Sequence, residues 1–168
     1  SESGYYTAHI GKWHLGYAYG MDPQSQGFHD SLGLQGGYYL PEDHPDVVNA
    51  KFDTSIDKMV WSSGQYAAKF NGGSLFKPDG YVTDYYTQEA LKVIEKNKNR
   101  PFFLYLSHWA IHNPLQALRS DVQEMSHMNG HNLQVYSGMI AALDRSVGRI
   151  VEKLKELWGK GNTASQIA

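Results

Sequence analysis

No cysteine occurs among the 168 residues. A disulfide framework, a thiolate metal centre and a cysteine nucleophile are thereby excluded from this stretch. A dominant charge is also missing: 15 Lys and Arg stand against 17 Asp and Glu, a formal net charge of -2. With no basic run to track a phosphate backbone and no acidic tail, nucleic acid is not an expected partner. No apolar stretch approaches the roughly 20 residues that span a bilayer, and no basic segment followed by an apolar one opens the chain. Neither a membrane anchor nor a signal peptide is expected. The absence of an Asn-x-Ser/Thr sequon favours a periplasmic or secreted source over a lysosomal one. Repeats and low-complexity segments are absent as well.

What is present is a globular composition, 41% apolar and 13% aromatic, enough for one domain with a core, or part of one. Both ends read as cut. Ser1-Glu2-Ser3-Gly4 has the polarity of a helix end stopped by Gly4, and the last helix closes at Gly159 and Gly161 before a short mixed tail, Asn162 to Ala168.

Between these ends the pattern is that of an α/β fold. Tyr5 to Ile10 is an aromatic and β-branched run between glycines, the mark of a buried strand. Gly16 to Pro41 reads as loops around one short element near Phe28 to Leu34, and Glu42 to Gly80 as irregular structure with a short helix around Ile56 to Tyr66. Thr83 or Asp84 is placed to cap a helix whose apolar positions Tyr86, Ala90, Val93 and Ile94 keep helical spacing up to Asn97 to Arg100. Phe102 to Leu106 then has the continuous apolar pattern of a strand buried on both faces. A final helix, Leu133 to Trp158, carries Tyr136, Ile140, Leu143, Val147, Ile150, Val151, Leu154 and Trp158 on one stripe, expected to pack on the sheet.

Open parallel sheets bind ligands beyond the C-terminal ends of their strands. Two segments qualify, Gly11 to Gly16 and Ser107 to Gln116. The first offers a cation at Lys12 and an imidazole at His14, two residues apart, so that an extended backbone points both to one side. The second presents His112 ahead of Pro114, which restricts the local backbone. Together they suit an anionic substrate with a proton donor nearby. On spacing alone the plainer alternative, a solvated cation and a hydrogen-bonded imidazole, is the favoured reading. His108 and His112 have the spacing of a helical metal pair, but they follow a strand, lack the Glu of a zinc protease motif and precede Pro114, so zinc is not expected. His9 alternates with apolar residues and reads as structural, His29, His44, His127 and His131 receive no role, and Tyr38, Tyr39, Trp61 and Tyr66 read as packing.

The run Gly4-Tyr5-x-Thr7-x-x-Ile10-Gly11-Lys12-Trp13-His14-Leu15-Gly16 resembles an active-site motif of the sulfatases. Further segments follow in that family's order: Pro23 to Gly33 with Gln26-Gly27-Phe28, Pro101 to Ser107 leading to His112-x-Pro114-Leu115-Gln116, and Tyr136 to Leu154 with Leu143-Asp144-x-x-Val147-Gly148. Gly37 to Gly80 is where sulfatases vary.

The resemblance implies a partial α/β/α sandwich of the alkaline phosphatase-like fold, residues 1–168 being an internal piece of the catalytic domain. It implies a sulfuric ester hydrolase acting on a small-molecule or carbohydrate sulfate ester, with a calcium ion and a formylglycine nucleophile. By this likeness Lys12 stabilises the nucleophile and sulfate oxygens, His14 is the base that breaks the covalent sulfated intermediate, and His112 contacts sulfate and assists the leaving group. The chain departs from the family in having no Cys, no Ser-x-Pro-x-Arg, no Asp-Asp pair and no Asp-Asn-Gly motif. Nucleophile and calcium ligands are therefore expected outside it, and the isolated piece is expected to be inactive. A serine that lines the pocket in some members is replaced by Gln35-Gly36-Gly37-Tyr38. A phosphodiester or phosphonate hydrolase of the same superfamily and a non-catalytic sulfatase remnant are the alternatives.

Overall fold

The computed structural model describes residues 3–159. The expectations for Ser1, Glu2, the side chain of Trp158 and Gly161 onward lie outside them. The chain order is β1 (Tyr6–Gly11), β2 (Asp30–Gln35), β3 (Val47–Ala50), α1 (Ser55–Ser63), β4 (Ala67–Phe70), β5 (Leu75–Phe76), α2 (Val82–Asn97), β6 (Phe102–Ser107), β7 (Leu115–Leu118), α3 (Arg119–Glu124) and α4 (His131–Gly159). A five-stranded mixed sheet runs β5-β4-β2-β1-β6. Its centre is parallel: β1 pairs with β2 and β6, while β4 and β5 add on antiparallel. A separate antiparallel ribbon pairs β3 with β7. No helix among the described residues is long and apolar enough to cross a membrane.

Strand β1 lies between β2 and β6 and has both its faces covered, with Ala8, His9 and Ile10 all buried. One face meets α2, whose buried stripe Val82, Tyr86, Ala90 and Ile94 recurs every four residues. Such side chains contribute about 1.5–3 kcal/mol each when fully buried. The helix begins at Val82, with Tyr81 at the cap position and no side-chain cap, so the expected capping by Thr83 or Asp84 is corrected. Two other groups do that work. The Val82 N–H donates to the Tyr39 carbonyl at 2.9 Å, and Asp84 in the first turn faces Arg145 at 3.4 Å.

Two other expectations are overturned. The apolar run of β6 is not buried on both faces: the strand lies at the sheet edge, and Phe103 and Tyr105 are 51% and 44% exposed on the face away from α2. Helix α4 packs on α2, α3 and the β3–β7 ribbon rather than on the five-stranded sheet. Its buried seam is Val135, Gly138, Met139, Ala142 and Ser146, whereas Ile140 and Val147 of the expected stripe are exposed. Close approach explains the choice, since a side chain on Gly138 would lie 3.2 Å from the Ala117 Cβ and 3.3 Å from the Asp121 backbone. Small residues let α4 sit down on β7 and α3, a preference that a search for large apolar residues misses. Arg145 ties the layer together by donating to both oxygens of buried Asp121, at 2.7 and 3.0 Å.

Candidate active site

Both segments singled out at strand ends lie side by side, because Gly11 ends β1 directly opposite Ser107 at the end of β6. Gly11 has φ 117, and a Cβ there would fall 1.8 Å from the Ser107 carbonyl oxygen. Only glycine permits this approach. Ser107 then brackets the next residue: its carbonyl accepts from the Lys12 N–H at 2.7 Å, and its hydroxyl donates to the Lys12 carbonyl at 2.7 Å. Trp13 is buried, donates its Nε1–H to the Met21 carbonyl at 2.8 Å and meets Phe28 and His9 edge-on. It anchors the turn in the fold and leaves Lys12 half-buried and His14 exposed.

His9 is a satisfied structural residue, its Nδ1 2.9 Å from Ser31 Oγ and its Nε2 3.2 Å from Ser107 Oγ. Burial lowers its pKa and keeps it neutral.

The Lys12 ammonium lies over the Trp109 indole, 4.7 Å from the ring centroid, with no carboxylate partner among the described residues. The same indole packs against the His112 imidazole at 4.3 Å between centroids. A cation on an indole face gains about 0.5–2 kcal/mol and keeps its charge available to an anion. His112 is exposed, and its Nδ1 donates to the Asn113 carbonyl at 2.7 Å, which leaves Nε2 as the outward nitrogen. His14 follows on the same turn with a left-handed backbone. Its φ of 60 ends the extended backbone that would have set it beside Lys12, and it makes no hydrogen bond to Lys12 or His112 among the described residues.

His108 turns the other way, into α4. The Thr87 hydroxyl donates to the Thr83 carbonyl at 2.7 Å and must accept from Ser146 at 2.6 Å, so Ser146 in turn accepts from His108 Nε2–H at 2.8 Å. Nδ1 of His108 is buried without a partner. A proton there has no acceptor, and burial pushes the pKa down to about 4. His108 and His112 thus serve different surroundings.

A cavity of about 300 Å³ opens beside His112, walled by Leu34, Gly36, Gly37, Val60, Trp109 and Pro114, with no carboxylate in its lining. Gly37 borders the indole so closely that a Cβ on it would press to 3.3 Å on the ring. Among the described residues no three His, Asp or Glu side chains cluster to hold a metal ion. What the described residues bring to the site is the Lys12 ammonium and the imidazoles of His14 and His112. Trp109 was not assigned a role from sequence, although an aromatic residue in a loop after a strand, three positions before a candidate histidine, is a usable signal. Tyr39, whose hydroxyl reaches the Trp109 and His112 carbonyls, left no such signal.

A parallel-centred α/β sheet with a cationic cluster at its strand ends places the molecule in the alkaline phosphatase-like class of α/β folds. The chain belongs to the sulfatase family, whose family model matches residues 1–164. It is 30% identical to an uncharacterized sulfatase, YdeN, of Escherichia coli (strain K12), over 95% of this chain and 29% of that protein. It is also 30% identical to N-acetylgalactosamine-6-sulfatase of Canis lupus familiaris, over 96% of this chain and 29% of that protein. Among solved structures it is similar to Ps i-CgsB in complex with k-i-k-neocarrahexaose, with 30% identity and a TM-score of 0.75 over 96% of this chain and 36% of that one. The chain thus spans about 29% of the length of these curated relatives.

Proposed function

We propose that the protein containing this chain is an arylsulfatase-like sulfuric ester hydrolase, and that Lys12, His14 and His112 are its contribution from these residues. One observation carries the reading: a lysine without a carboxylate partner and an outward-facing histidine meet on a single indole at the ends of adjacent parallel strands. A sulfate ester is an anion that resists attack, so its oxygens must be neutralised while a donor protonates the departing oxygen. Lys12 supplies the charge, and His112, with its Nε2 turned outward, contacts the sulfate and assists the leaving group. His14, exposed on the turn, acts as a base toward the site. When bound, calcium and a formylglycine would supply the electrophilic charge and the nucleophile; both are expected from residues outside this chain. The relatives named N-acetylgalactosamine-6-sulfatase and the neighbour solved with k-i-k-neocarrahexaose favour a sulfated carbohydrate as substrate.

The test uses the full-length protein, assayed in parallel on an aryl sulfate and the matching aryl phosphate. Sulfate hydrolysis that falls about 10²–10³-fold in Lys12→Ala and in His14→Ala is the expected outcome. Full activity in either variant refutes that residue's role, and turnover of the phosphate alone refutes the activity.

A further inference from the structure

Tyr39 is fully buried and sits 70 residues from the loop it touches. Its ring stacks on Tyr81 at 5.5 Å between centroids, and its N–H donates to the Gln116 side-chain carbonyl at 2.9 Å. Its hydroxyl ends beneath the loop that follows β6, 3.0 Å from the Trp109 carbonyl and 2.9 Å from the His112 carbonyl. The Trp109 carbonyl also accepts from the His112 N–H at 3.1 Å. One phenolic proton is therefore shared between the two ends of a single turn, and that turn carries both the indole under Lys12 and the imidazole of His112.

From this geometry we infer that Tyr39 is a positioning residue: its buried hydroxyl clamps the turn 109–112 and so fixes where His112 and the Lys12-bearing indole stand. The inference rests on the sulfatase reading above. Its physical basis is that two loop carbonyls would otherwise be left with one donor between them, and unsatisfied buried carbonyls reorganise the loop rather than stay bare. The hydroxyl is a dependable donor, because burial raises its pKa well above the usual phenol range. The rest of the residue is set independently, its ring by Tyr81 and its backbone by Gln116. Loss of the hydroxyl alone therefore leaves the ring in place and frees only the loop.

Tyr39→Phe in the full-length protein is the test, read on a series of aryl sulfates whose phenols span a range of acidity. Assistance from a correctly placed His112 at the departing oxygen matters most for the most basic leaving group. Tyr39→Phe is expected to lower kcat about 10–100-fold on the poorest leaving group and less than about 3-fold on the best, with KM moving little. His112→Ala should show the same steepening, and the double variant should lose less than the product of the two single effects, keeping only the part that comes through the indole under Lys12. A merely structural role lowers all substrates alike and makes the two effects multiply, and either result overturns the proposal. Amide exchange gives a reading free of activity: residues 109–112 should exchange faster in Tyr39→Phe while Lys12 stays protected, and unchanged exchange overturns it. If Tyr39→Phe does not fold, a tyrosine fluorinated beside its hydroxyl at position 39 should keep wild-type rates and the wild-type leaving-group slope. A changed slope in that protein sinks the clamp. If wild type and His112→Ala behave as expected and Tyr39→Phe does not differ from wild type, the clamp alone fails. If wild type hydrolyses no sulfate ester, the sulfatase reading fails and takes the clamp with it.

Discussion

The two loops that form the site are held by opposite means. The turn after β1 is locked from its own side, by Gly11, which admits the Ser107 carbonyl of the adjoining strand and its paired hydrogen bonds, and by the buried Trp13 within the turn itself. The loop after β6 is held from a distance, by Tyr39 beneath it and by Ser146 of α4 bonded to His108. Locally enforced geometry leaves a compact signature in the sequence, whereas geometry enforced at a distance spreads its constraint over residues with no neighbouring pattern. The same contrast says how each loop fails: the first by loss of the fold, the second by loss of alignment.

Substituting the two glycines gives the largest expected difference. Gly11→Ala puts a Cβ against backbone on a central strand at a positive φ, so nothing flexible can yield. Strain of this kind costs several kcal/mol, and little folded protein is expected in a solubility and circular-dichroism comparison. Gly37→Ala also carries a positive φ, but the atom it meets is the edge of the Trp109 ring at 3.3 Å. The protein should fold with a loss of about 1–2 kcal/mol in urea unfolding and a lower rate, as the indole moves beneath Lys12. Equal damage from both would erase the distinction between the loops.

Next in size is Trp109. Trp109→Ala removes the surface on which Lys12 and His112 meet, and about a 10–50-fold fall in kcat/KM is expected, partly restored by Trp109→Phe, which keeps a weaker ring face. Wild-type kinetics in Trp109→Ala would show that Lys12 is held by its own loop alone.

These contrasts also explain what was legible in the sequence. The strand of β1 and the stripe of α2 were legible because their determinants are neighbours in the chain, and the Gly11 to Gly16 turn was legible through its own glycines and Trp13, although its partner Ser107 lies 95 residues away. The seam of α4 was not, since Gly138, Ala142 and Ser146 are selected for closeness rather than apolarity. The open face of β6 was not, because an apolar run is the same string on a covered strand and on an edge. His14 was expected beside Lys12 on an extended backbone that in fact ends at Gly11. Tyr39 acts on backbone carbonyls 70 and 73 residues away, and no residue type in the loop announces it.

The smallest effect concerns acid, and it separates the loops without touching the catalytic candidates. An unfolded imidazole takes a proton near pH 6.5. Folded His108 resists until about pH 4, because burial disfavours its charge. Between these values the unfolded state binds more protons, so the stability due to neutral His108 is full above about pH 6.5 and falls as the pH drops toward 4. Because the ring is only half-buried, solvent screening limits the loss to roughly 1–2 kcal/mol. Urea midpoints at pH 7 and pH 4.5 should therefore differ more for wild type than for His108→Gln, which cannot titrate. Amide exchange at pH 4.5 should show residues 108–113 loosening, because the added proton falls on the buried Nδ1 of His108, which has no acceptor, while the Lys12 N–H bonded to Ser107 stays protected. Loosening of both loops together would mean that they share one support, and the division between local and distant restraint would have to be abandoned.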